Sequence, residues 1–113
     1  MGEAKRRLTA GDVRTIATEM TKRLTDEGKL VEAGWVAFRH LVIAKDAPDV
    51  QVSEMRLAFF AGAEHVFSSM IAFMEEGEEP TEKDLKRMDQ LHAELERYRQ
   101  EMAAKYIHTK GSA

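Results

Sequence analysis

Helical periodicity is the sequence feature that most constrains the fold of this chain. Its 113 residues contain only two prolines, Pro48 and Pro80, and apolar side chains recur at steps of three and four in each segment that they separate. Such steps place side chains on one face of an α-helix, whereas a half-buried β-strand requires alternation. The periodicity therefore predicts an all-α fold.

The first apolar series runs from Val13 to Val42 without a change of phase. Because a break between two helices normally resets the phase, we expect one long first helix over 12–45, with Gly28 inside it. The alternative is a hairpin turn at 26–29, where the sequence reads Asp-Glu-Gly-Lys.

Two further helices are predicted after the prolines. The second is expected over 53–75, with Ser53 as its N-cap residue. The third is expected over 82–107, where Thr81 and Asp84 have the spacing of a capping box. Since both connections are short, the predicted architecture is an antiparallel three-helix unit with a long first helix.

The second predicted helix carries apolar residues on nearly all sides. They include Leu57, Phe59, Phe60, Val66, Phe67, Met70, Ile71 and Phe73. A helix of this kind is normally buried all round, and two other helices of so short a chain leave part of it uncovered. We therefore expect homo-oligomerisation, as a dimer or a higher oligomer, to complete the core.

The chain is expected to form a single helical domain over 12–108. A basic flexible tail over 1–11 precedes this domain, and a frayed C-terminus over 109–113 follows it. Since no apolar run reaches the length of a membrane span and no signal-peptide core is present, we expect a cytoplasmic protein.

The residue types exclude most catalytic chemistry. There is no cysteine, hence no disulfide and no thiolate, and no phosphate-binding loop or nucleophile elbow occurs. His40, His65 and His92 fall on different segments, and a single Asp-x-x-His pair, at 89–92, is one short of a di-iron motif. We therefore expect no enzyme, no cofactor and no metal.

Charge argues against nucleic acid as a partner. The net charge is −3, and the basic run Lys5-Arg6-Arg7 is too short to form the basic face of a nucleic-acid-binding protein. We therefore expect no nucleic acid as a partner, and no membrane either, because no apolar run is long enough to span one.

A small anionic ligand is the binding partner that the remaining residues favour. The candidate binding residues are Arg56, Arg39, Phe59, Phe60, His40 and Trp35. Arginine beside an aromatic ring can hold a phosphate through its fork of donors and a planar base by stacking. The alternative is that the aromatic residues are core and that both arginines pair with acids of the connection, namely Asp46, Asp49 or Glu54.

Three segments resemble small all-helical proteins of phages and prophages. They are Trp35 with its aromatic neighbours, the run MRLAFFAGAEH over 55–65 and the run EPTEKDLKRM over 79–88. The resemblance implies a phage-type origin, with the host bacterial cytoplasm as the compartment. It implies no catalytic residue.

A looser likeness links Arg56, Phe60 and Gly62 to phage sponges, which are short all-helical homo-oligomers with an anti-defence role. Sponges of this family sequester cyclic-nucleotide signals. The resemblance implies a non-enzymatic accessory protein that binds a small nucleotide signal. The alternative function is a protein–protein interaction module, either a phage structural or accessory component or an inhibitor of a host protein.

Overall fold

The described part of the chain, residues 7–111 of a computed structural model with side chains over 7–105, consists of helices and their connections, with no strand. It comprises α1 (Ala10–Asp26), α2 (Leu30–Leu41), α3 (Asp49–Phe73) and α4 (Glu82–Gly111). The predicted all-α class is confirmed. The first six residues of the predicted basic tail and the last two of the predicted frayed C-terminus lie outside the described residues. None of the described helices is long and apolar enough to cross a membrane.

The prediction of one long first helix is wrong, because α1 ends before Gly28 and a second helix begins after it. This glycine has φ +72°, in the left-handed region that favours glycine. The Lys29 N–H donates to the Leu24 carbonyl over 2.8 Å and the Gly28 N–H to the Thr25 carbonyl over 3.0 Å. These two bonds form a Schellman motif, which ends a helix by satisfying its last carbonyls. The alternative turn at 26–29 is therefore correct.

The N-terminal end of α1 is capped by the side chains of Thr9 and Asp12. Thr9 is the N-cap residue, and its hydroxyl accepts from the Asp12 N–H over 3.0 Å. The Asp12 carboxylate accepts from the Thr9 N–H over 3.1 Å. This reciprocal pair is a capping box, so α1 begins at Ala10, two residues before the predicted start.

The connection between α2 and α3 also differs from the prediction. Helix α2 ends at Leu41, and α3 begins at Asp49, four residues before the predicted start. The Pro48 carbonyl accepts the Val52 N–H over 3.0 Å, so the first turn of α3 forms directly after the proline. Ser53 lies inside α3 and is not its N-cap residue.

The predicted capping box of α4 is confirmed. The Asp84 N–H donates to the Thr81 hydroxyl over 3.1 Å, and the Thr81 N–H donates to the Asp84 carboxylate over 3.1 Å. The helix extends to Gly111, past the predicted end at 107.

The chain divides into two compact units, with the boundary after Ala63, inside α3. The first unit contains α1, α2 and the first part of α3, and its buried apolar residues are Trp35, 5% exposed, and Ile43, 6% exposed. The second unit contains the rest of α3 and α4, and its one buried residue over the described side chains is Asp84, 1% exposed. A single domain over 12–108, the three-helix unit and oligomerisation stay predictions.

Candidate functional site

An ion pair between α2 and α3 contains the arginine that the sequence singles out most strongly. Arg56 Nη1 donates to Glu32 Oε1 over 3.0 Å, and Nη2 donates to Oε2 over 2.6 Å. Two parallel bonds of this kind fix the guanidinium plane as well as its position. The Glu32 carboxylate therefore occupies the donor fork that a phosphate would need.

An aromatic ring lies against the same guanidinium. The Arg56 Cζ atom is 4.7 Å from the ring centroid of Phe60 and 6.0 Å from that of Trp35. The shorter distance is that of a cation–π contact. Both charged side chains are about half exposed, at 45% for Arg56 and 46% for Glu32. The Glu32–Arg56 pair thus lies at the solvent-exposed edge of the contact between α2 and α3.

The hydrogen bonds between Glu32 and Arg56 shift the pKa values of both side chains. The hydrogen bonds from Arg56 hold the pKa of Glu32 below its usual value, and the bonds to Glu32 raise the pKa of Arg56. Both groups are therefore charged over the whole neutral range, and the site has no proton to donate or accept there.

The aromatic residues beneath the pair form a packed cluster. The Trp35 centroid is 5.8 Å from Phe59 and 6.1 Å from Phe38, and the Phe38 and Phe59 centroids are 5.6 Å apart. Gly34 permits this approach, because a Cβ atom there would lie 3.3 Å from Phe59 Cζ. Trp35 and Phe59 are thus used for packing between α2 and α3.

The second predicted arginine lies in a different surface depression. Arg39, His40 and Lys45 line one depression, whereas Ser53, Arg56, Leu57 and Phe60 line another. Arg39 Nη1 donates to the carbonyls of Ile43 over 3.3 Å and of Ala44 over 3.1 Å. It satisfies carbonyls just past the C-terminal end of α2, where a cation also complements the helix dipole.

Among the six predicted ligand residues, the structure thus brings Arg56, Phe60, Phe59 and Trp35 together and lines a separate depression with Arg39 and His40. The alternative named Asp46, Asp49 or Glu54 as partners of the arginines, and these partners are wrong because Glu32 and backbone carbonyls fill that role. Sequence reasoning missed Glu32. The sequence signal that could have found Glu32 is its spacing of three residues from Trp35, which places both side chains on one face of a helix.

A second polar cluster joins the end of α3 to the start of α4. Besides its bonds within the capping box, Asp84 Oδ1 accepts the Glu75 N–H over 3.0 Å. The bonds from the Thr81 and Glu75 N–H groups hold the pKa of Asp84 below its usual value. Arg87 Nη1 donates to the Phe73 carbonyl over 3.2 Å and lies 3.6 Å from Glu75. Every bond joins neighbouring segments, so the cluster has a structural role.

Over the described side chains, no three His, Asp or Glu residues are grouped as metal ligands. The chain matches no family model, no curated protein and no solved structure.

Proposed function

We propose that this chain is a non-enzymatic protein–protein interaction module that completes its core by homo-oligomerisation. The observation that carries the proposal is the exposure of apolar side chains at helical spacing on several described helices. On α1 the exposed apolar residues are Val13, Ile16 and Met20, and on α4 they are Leu85, Met88, Leu95, Tyr98 and Met102. Contiguous apolar surface of this extent is typical of an interface.

The second unit supplies the strongest support. Its described residues from Glu64 onward include no buried apolar side chain, while Phe67, Ile71 and Leu95 are more than half exposed. Hydrophobic burial is the main favourable term in folding, so a helix pair without a core is marginal by itself. Association with another protein surface would provide the missing burial.

Mass measurement tests this proposal directly. Light scattering of the purified chain should give a multiple of its 12.8 kDa mass. A mass of one chain across the accessible concentration range would contradict self-association. A pull-down from a bacterial lysate would then separate a host-protein inhibitor from an inert monomer. The phage-type origin stays a prediction.

A nucleotide sponge is the second candidate, and the Arg56–Phe60 contact is the observation that favours it. A base could stack on Phe60 at the depression that also contains Ser53. For this function the phosphate must displace Glu32 from the Arg56 fork, which lowers the affinity.

A thermal-shift screen with cyclic di- and trinucleotides tests the sponge. A ligand at about 100 times its dissociation constant should stabilise the chain by ~2.7 kcal/mol. Arg56→Ala should abolish this shift and Glu32→Gln should enlarge it, since the guanidinium is then released. Arg97→Ala, on the exposed surface of α4, is the matched control. If no nucleotide changes the melting temperature, the sponge is excluded.

A further inference from the structure

Helix α4 carries two heptads of the coiled-coil sequence pattern. Its core positions a and d are filled by Met88, Leu91, Leu95, Tyr98 and Met102, at the alternating spacing of three and four residues. These five residues are called the α4 seam below. A strict 3–4 repeat keeps one narrow face of a helix against one partner helix over its whole length.

The α4 seam is open to solvent over most of its length. Leu95 is 56%, Tyr98 63% and Met102 45% exposed, and only Leu91 is half-buried. The seam extends fourteen residues along α4, from Met88 to Met102, which is about 21 Å at 1.5 Å per residue. It is a row of five apolar side chains at coiled-coil spacing, four of them exposed.

We propose that the α4 seam binds the same seam of a second copy of this chain, as a parallel, in-register pair of helices. The inference rests on the proposed function and names the surface through which self-association takes place. In this arrangement each seam residue packs in a layer with its own copy, so that Leu95 lies against the partner's Leu95. The exposed apolar side chains of α4 then form the core of the assembly.

Charges beside the seam favour the parallel orientation. In a parallel pair, position g of one helix faces position e of the next heptad on the partner. Glu94 occupies g and Arg99 occupies e, so each Glu94 faces the partner's Arg99, and symmetry makes two such pairs. The Arg99 side chain is 77% exposed and lies on this flank, where Glu96 holds it by a bidentate pair with bonds of 2.7 and 3.1 Å.

The antiparallel orientation is less favourable for the same charges. In an antiparallel pair position g faces position g of the partner, which can place Glu94 against the partner's Glu94, a repulsive contact. Arg87 at position g could compensate, but it is 46% exposed and bonds the Phe73 carbonyl at the end of α3. Arg99, in contrast, is 77% exposed and is held by Glu96 of its own helix. We therefore expect the parallel pair, and weak association, because the seam has only two heptads.

Site-specific disulfides test the orientation, since the chain has no cysteine of its own. In a parallel pair, Met88→Cys and Met102→Cys should each form a linked dimer alone, because equivalent a positions lie within disulfide distance. Ala93→Cys, at the outward position f, is the matched control and should link about tenfold less. In the antiparallel pair, position a of one helix faces position d of the other, so neither methionine variant links alone, and a mixture of Met88→Cys with Tyr98→Cys does.

A charge exchange provides an independent test. Glu94→Lys or Arg99→Glu should weaken association about tenfold, because each variant places like charges at both flanks of the pair. The double variant Glu94→Lys/Arg99→Glu should restore most of the lost affinity. Gln100→Lys, at position f, should leave the affinity unchanged. If the double variant loses as much affinity as the two single variants together, the parallel pairing is excluded.

The outcomes separate this inference from the proposed function. Leu95→Lys should reduce the measured mass to one chain, and circular dichroism shows whether the helices remain. If the chain is oligomeric but links only as the antiparallel mixture, or not at all, the α4 pairing is wrong and self-association stands. If the unmodified chain is a single-chain species at every concentration, both fail.

Discussion

Single residues decide where the helices of this chain begin and end. Gly28 stops α1 because only a residue without a side chain adopts φ +72° at little cost. Asp84 starts α4 because its two carboxylate oxygens accept the N–H groups of Glu75 and Thr81. Both act through backbone geometry, so substitutions there should affect stability without removing any apolar contact.

We expect Gly28→Ala to lower the free energy of unfolding by about 1–2 kcal/mol, the cost of a left-handed conformation for an L-residue. Urea denaturation followed by circular dichroism measures it. Gly62→Ala is the control, because Gly62 lies within α3 in the ordinary helical region with no neighbour within 4 Å of an added Cβ atom. It should stabilise by up to about 1 kcal/mol. Equal effects at the two positions would contradict the Schellman motif.

We expect Asp84→Asn to lower the melting temperature by on the order of 5 °C, because an amide nitrogen cannot accept one of the two backbone N–H bonds. The effect should depend on pH. Since the folded state lowers the pKa of Asp84, its contribution is present above the ordinary value of 3.8 and is lost as the pH falls below it.

The measurement is the difference in melting temperature between the unmodified chain and Asp84→Asn as a function of pH. This difference should be constant near neutrality and shrink below pH 3.8. Asp89→Asn, an exposed position on α4, is the control and should leave the melting temperature nearly unchanged. A difference that stays the same in acid would exclude the stabilising role of the ionised Asp84 carboxylate.

At the scale of elements, α2 and α3 are held together by one aromatic cluster. Trp35, Phe38 and Phe59 pack with centroid distances of 5.6–6.1 Å, and Gly34 lets Phe59 approach α2 closely. The Glu32–Arg56 pair lies at the solvent edge of this cluster. A half-exposed pair of this type adds less to stability than the rings beneath it, because solvent screens its attraction.

We expect Phe59→Ala to destabilise the chain by about 2–3 kcal/mol, somewhat less than for a fully buried phenylalanine, since Phe59 is half-buried. Trp35 is the one tryptophan and is buried, so its fluorescence should shift to longer wavelength in this variant. Phe67→Ala, at a 66% exposed position of the same helix, is the control. It should leave the Trp35 emission where it is, and a shift in that variant would contradict the cluster.

At the scale of the whole molecule, buried apolar side chains are few and exposed ones are many. Over the described side chains, Trp35 and Ile43 are the buried apolar residues, whereas each of the four helices exposes several large apolar groups. Under the proposed self-association these surfaces are covered only in the assembly, so the folded state is linked to the protein concentration.

We expect the melting temperature to rise with protein concentration. For a dimer that unfolds on dissociation, each tenfold increase in concentration adds about 1.4 kcal/mol of stability. In a domain of this size that corresponds to a rise on the order of 5 °C. Scanning calorimetry over a hundredfold concentration range measures it. A melting temperature independent of concentration would contradict linked folding and association.

The sequence by itself determined the helical class and the local signals at the helix starts. Apolar residues spaced three and four apart predict helices, however those helices pack against one another. The capping box of Thr81 and Asp84 can be recognised in the sequence because its two residues lie within four positions of each other. The same periodicity missed the break at Gly28, because the short turn keeps the apolar residues in phase on both sides.

Tertiary structure alone decided which partners the candidate site residues have. The sequence places acids near Arg56 along the chain, but its partner is Glu32, which lies 24 residues away. Arg39 likewise bonds backbone carbonyls that become available only once α2 has ended at Leu41. Spacing along a chain reveals which residues share a helix face, whereas the opposing face depends on how the helices pack.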